Sequence, residues 1–145
     1  MDATPHIDIR LFTTAERVRH GWPIGSRFVE EFWLPILRPS SVVLLRRVAH
    51  HAGGLVRYQR LPLAELASAI GLGCGVDRHS PICRTLERLT RFDAARWDTT
   101  PGTDTPQLSI YSHLLPVPRR LVAQLSPALQ AEHGRVVAAL AAASQ

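Results

Sequence analysis

Lysine is absent from this 145-residue chain: all 17 basic residues are arginine. We read that bias first as the mark of a GC-rich coding genome and only then as chemistry. Cysteine occurs twice, too rarely for a disulfide framework. No apolar run approaches the roughly 18 to 20 residues of a membrane-spanning helix. The N-terminal MDATPHIDIR lacks the charged-then-apolar layout of a secretory signal, so a cytoplasmic location is expected. Signatures of catalysis are missing too. No nucleophile is paired with a base in a recognisable motif. GLGCG, from Gly71 to Gly75, lacks the third glycine and the preceding strand of a nucleotide-binding turn. Neither enzymatic activity nor a cofactor is expected.

With 46% apolar and 20% charged residues, the chain can bury a core, which excludes wholesale disorder, and its length suits one body. The net charge of +5 is unevenly spread. Between Arg38 and Arg96, ten arginines stand against Glu65, Asp77, Glu87 and Asp93, an excess of six. Such a segment suits a polyanion, and without a membrane signal the expected partner is nucleic acid.

Residues 1–25 read as an N-terminal arm, although IDIRLF alternates as a short strand does. From Ser26 to Leu37, Phe28, Phe32, Trp33 and Ile36 recur at helical spacing, with Pro35 and Pro39 limiting the helix. Ser40 or Ser41 caps the next helix, whose stripe Val42, Val43, Leu45, Val48 and Ala49 ends at Ala52-Gly53-Gly54. LVRYQRL, Leu55 to Leu61, reads as a strand, and LAELASAI, Leu63 to Ile70, as a compact helix closed by Gly71. AARWD and QLSIYSHL, ending at Leu114, are two strands around the turn-rich TTPGTDTP. Pro116 to Gln124 is a short arginine-bearing segment. Ser126-Pro127 then opens a last helix.

The centre of the chain is His79 to Phe92, HSPICRTLERLTRF. Ser80 is a good N-cap and Pro81 suits the first helical position. At 100° per residue Ile82, Leu86, Leu89 and Asp93 share one side, with Thr85 and Phe92 at its edge. Arg84, Arg88 and Arg91 gather opposite. On an isolated helix that is an ordinary solvated face. Its setting, after a short helix and a turn and before a hairpin, is that of a helix laid into the DNA major groove.

The order helix, strand, helix, helix, strand, turn, strand over residues 41–114 resembles the winged helix-turn-helix superfamily. FWLPILRPSSVVLLRRVA, Phe32 to Ala49, resembles the helices that open the winged-helix domain of DnaD-type primosomal proteins, with Trp33-Leu34-Pro35 as the motif and Arg38 in place of a glycine. The run Leu125 to His133, LSPALQAEH, is similar to a pattern that closes a small actinobacterial family. The expected fold is therefore mainly α, of α+β class: a winged helix-turn-helix domain over 26–115, an arm before it and a helical extension over 116–145. The resemblance implies DNA binding or subunit association. The expected function is a double-stranded DNA-binding regulator with Arg78, His79, Ser80, Arg84, Arg88 and Arg91 at the DNA. The alternative is a protein-interaction module, since the wing tip carries Asp104 and no basic residue. Arg46, Arg47, Arg57 and Arg60 extend the patch or are simply solvated.

Cys74, Asp77, His79 and Cys83 form a C-x2-D-x-H-x3-C run of zinc-ligand types, but the spacing matches no standard finger, and a free cysteine beside a core face more often packs as a small hydrophobe. No metal is expected. The last helix presents Leu129, Val136, Val137 and Leu140 either to the chain's own core or to a second copy, and a homodimer is expected.

Overall fold

A hydroxyl placed just before a helix-forming run recurs along this chain, because the first turn of a helix has N–H groups with no partner inside it. In the computed structural model, which describes residues 5–51 and 56–143, Thr14 accepts from the Arg17 N–H at 3.1 Å, Ser26 from Val29 at 3.4 Å, Ser80 from Cys83 at 3.4 Å and Ser126 from Leu129 at 3.3 Å. Each begins a helix. The described elements, in order, are β1 (His6–Phe12), α1 (Ala15–His20), β2 (Trp22–Pro23), α2 (Arg27–Leu37), α3 (Pro39–Ala49), β3 (Gln59–Pro62) and α4 (Leu63–Ala69). They continue with α5 (Pro81–Arg91), β4 (Ala95–Asp98), β5 (Gln107–Tyr111), β6 (His113–Leu114), α6 (Arg119–Val122) and α7 (Pro127–Ala143). The protein mixes α and β structure, as an α+β chain does. The cap expected at Ala52-Gly53-Gly54 and the first strand residue expected, Leu55, lie outside the described residues.

Contacts divide the chain into two units, one from Met1–Phe12 and His50–Tyr111, the other from Thr13–Ala49 and Ser112–Gln145. This differs from the expected boundaries at 25/26 and 115/116, and the reason lies in β1. Its residues Ile7 and Ile9 are buried, and it pairs antiparallel with β3 and parallel with β5, giving the sheet order β3-β1-β5-β4. Residues 6–12 of the expected arm are thus an inner strand, and residues 13–25 supply α1 and β2 to the other unit. The expected strand through Leu114 also divides, because β5 joins this sheet while β6 pairs with β2.

In the first unit the period-two alternation of β1 and β5 sorts the sheet's two faces. Ile7, Ile9, Leu108 and Ile110 are buried with Ala95, and α4 and α5 supply Leu63, Leu66, Ile82, Leu86 and Leu89 to the core. The other face holds Asp8, Arg10, Phe12, Ser109 and Tyr111 with Arg96 and Asp98 on β4. Adjacent strands place Arg10 opposite Ser109 and Ser109 opposite Arg96.

In the second unit α2 contributes Phe28, Val29, Phe32, Trp33, Ile36 and Leu37 to the core, packed with Leu44, Leu45 and Val48 of α3. The α2 helix continues through Pro35 to Leu37. Arg38 ends it at φ 74°, ψ 161°, a backbone conformation that glycine adopts with least strain. Gly21 allows a close approach: a Cβ there would lie 2.6 Å from the Leu114 carbonyl oxygen and 2.7 Å from that of Arg17. The first core helix expected for the winged domain, α3, belongs to this unit and not to the one that holds α4 and α5.

His133 of α7 is buried against Phe28 and Phe32, and its Nε2 accepts from the Val117 N–H at 3.2 Å. Burial pushes its pKa below the ordinary 6.5, because a charged imidazole loses hydration there. The folded form therefore binds fewer protons than the unfolded one. Stability is fully present above about 6.5 and declines as pH falls through that value toward the lower folded pKa. Burial lowers the pKa of His113 as well, adding to the same trend. The melting temperature is expected to fall between pH 7 and 5, and His133→Gln to give a shallower fall. An equal slope in both proteins would show that His133 does not sense pH.

Candidate nucleic-acid interface

The α4 helix ends at Ala69 with Ile70 as its C-cap, and Gly71 and Gly73 take left-handed φ values of 78° and 76°. This glycine-rich connection leads to Asp77, whose Oδ1 accepts from the His79 N–H at 2.8 Å and whose carbonyl accepts from the Ser80 hydroxyl at 2.6 Å. Ser80 then caps α5. On one side of that helix Ile82, Thr85, Leu86 and Leu89 are buried. The seat follows the sequence pattern, except that Asp93 lies past the helix, at φ 61°.

The opposite side carries the arginines. Arg84 and Arg91 are exposed and Arg88 is half-buried. They span about 10 Å along the axis at 1.5 Å per residue. None of the three makes an ion pair among the described residues, whereas the sheet arginines do: Arg60 pairs with Asp8 at 3.0 Å, and Arg96 with Asp98 at 3.1 Å. In the other unit Arg46 pairs with Glu30 at 2.9 Å. Arg78 and His79 are exposed before the positive end of α5, with Arg78 Nε donating to His79 Nε2 at 3.3 Å. Ser80 corrects the expected set: it is 5% exposed and its hydroxyl serves the cap, leaving nothing to offer a phosphate. Guanidinium groups on such a face can hold phosphates or read guanine edges.

The zinc-type run is not assembled. Among the described residues no three His, Cys, Asp or Glu groups come together as a metal site. Cys74 is exposed, Asp77 is engaged by the turn, and the Cys83 thiol points toward the Val76 carbonyl oxygen at 3.7 Å.

A polar cluster lies on the sheet face opposite α4 and α5, and no sequence motif marks it. Asp98 accepts hydrogen bonds from the Tyr58 and Ser109 hydroxyls and from Arg96 Nε. Arg10 donates to Ser109 Oγ at 2.8 Å and lies over the Phe12 and Tyr58 rings. Desolvation, the largest single influence on Asp98, raises its pKa, but the Ser109, Tyr58 and Arg96 contacts together outweigh it, and the net shift is downward. Burial raises the Tyr58 pKa, reinforced by Asp98. The donors and acceptors answer one another, so the cluster ties three strands together. The one signal for it was the alternation in IDIRLF and QLSIY.

Between β4 and β5 the connection 99–106 contains Asp104 and no arginine. Among the described residues no helix is long and apolar enough to cross a membrane. No family model, curated protein or solved structure matches this chain.

Proposed function

We propose that this protein is a cytoplasmic, winged helix-turn-helix type transcriptional regulator that binds double-stranded DNA by laying α5 in the major groove. One observation carries the reading: burial of Ile82, Leu86 and Leu89 turns Arg84, Arg88 and Arg91 outward, with no acidic partner among the described residues. Arg78 and His79 extend the face toward the positive end of the helix. The protein acts as a homodimer through α7, where Leu129, Val136, Val137 and Leu140 remain half-exposed, and a two-fold axis lets two α5 helices address successive turns of DNA.

The test is fluorescence anisotropy of labelled duplexes, the gene's own upstream region and a scrambled control, across a salt series. Steeply salt-dependent binding that favours the upstream duplex is the expected result. A sedimentation mass equal to the 16.1 kDa of one chain would remove the dimer. The arginine-free β4–β5 connection favours a second reading, a protein-interaction module, and absence of duplex binding at low salt would select it.

A further inference from the structure

Beside α5, two hollows meet at the same pair of side chains. A small chamber of about 130 Å³ is walled by Ile7, Leu63, Leu86 and Pro106 together with Cys83 and Trp97, and His6 adds one imidazole. A wider cleft of about 470 Å³ shares Cys83 and Trp97 and is otherwise lined by Arg78, His79 and Glu87. Cys83 and Trp97, which line both, stand as a neck between an apolar recess and a polar mouth. Trp97 is 47% exposed, an unusual outlay of apolar surface for a strand residue on the helix-bearing face. Alternation of β4 puts Trp97 there, on the opposite face from Arg96 and Asp98, which join the polar cluster.

The dimensions and chemistry select a ligand. An apolar cavity of about 150 Å³ holds one benzene ring, so the slightly smaller recess, open toward the cleft, takes at most a single six-membered ring, edged by the Trp97 indole. At the mouth Arg78 offsets Glu87 in charge and His79 adds an imidazole, while the start of α5 adds its positive dipole end, which favours an anion. We propose that this cleft binds a small aromatic carboxylate, ring in the recess and carboxylate against Arg78 and His79. The site rests on the function proposed above for its regulatory meaning alone: the ligand occupies two side chains of the DNA face, so it lowers duplex affinity.

The probe is 4-fluorobenzoate, followed by fluorine NMR on the free protein, with 4-fluorobenzyl alcohol as the neutral comparison. Saturable binding at or below about 1 mM is expected, a fragment-sized affinity, with the carboxylate preferred about tenfold over the alcohol. Cys83→Leu, which fills the neck, is expected to weaken binding about tenfold or more. Arg78→Ala with His79→Ala, both exposed, is expected to erase the preference for the carboxylate while leaving the melting temperature unchanged. No saturation by about 10 mM, or equal affinity in the Cys83→Leu protein, overturns the site. These measurements contain no DNA, so failure of the DNA reading does not touch them. In the anisotropy assay saturating 4-fluorobenzoate is expected to raise the duplex Kd about tenfold. An unchanged Kd in a protein that binds both overturns the competition.

Discussion

Replacing Arg84, Arg88 and Arg91 together by alanine is expected to weaken duplex binding about 100-fold or more at low salt, since each guanidinium contact to a base or phosphate contributes on the order of 1 kcal/mol. The salt dependence should change with it. If each arginine displaces one counterion, the slope of log K against log salt becomes shallower by about 0.9 for each, close to 3 in all. Fold stability should barely move, because Arg84 and Arg91 are exposed and none of the three is tied by an ion pair among the described residues; surface changes of this kind stay within about 0.5 kcal/mol. Anisotropy and thermal melting of the same preparation measure both quantities. Wild-type affinity in the triple variant would exclude α5 as the DNA contact.

The second large effect lies on the other side of the same helix. Leu89 is fully buried, three residues before the Phe92 C-cap of α5, and Ala94 and Ala95 that follow are buried as well. Leu89→Ala removes three buried carbons and leaves a cavity that the sheet can only partly close, at a cost of about 2 to 5 kcal/mol. Denaturant unfolding of the purified variant is the measurement. A loss below about 1 kcal/mol would mean that α5 is not seated on the sheet as described. DNA affinity of the fraction still folded is expected to persist, the reverse of the arginine variant. The pair separates the helix's two roles, a seat and a contact face, within eight residues of sequence.

What the sequence determined by itself is local. Ser80 and Pro81 set the start of α5, Gly71 the end of α4, and Ser126-Pro127 the start of α7, because caps and fixed φ values act on neighbouring residues whatever surrounds them. Helical periodicity separated Ile82, Leu86 and Leu89 from the three arginines for the same reason. The long-range partners were not legible. Alternation in IDIRLF announced a strand, but only tertiary structure chose its neighbours β3 and β5, whose pairing depends on residues fifty or more positions away. That choice turned residues 6–12 of an expected arm into an inner strand. It also brought Arg10 to Ser109 and Tyr58 to Asp98, contacts that no local pattern encodes.

Ser80 shows the limit from the other side. Its residue type suited both a cap and a phosphate contact, and burial against the Asp77 turn decided for the cap. Cys74 and Cys83 shared a ligand-like spacing, yet the turn leaves one exposed and directs the other to a carbonyl. The neck of Cys83 and Trp97 was likewise invisible, since these residues stand on separate elements. Sequence determined the elements and the faces of α5, because those follow from bonds and steric preferences a few residues long. The tertiary structure decided which faces meet, because burial and hydrogen bonding between distant strands depend on the packing of the folded chain.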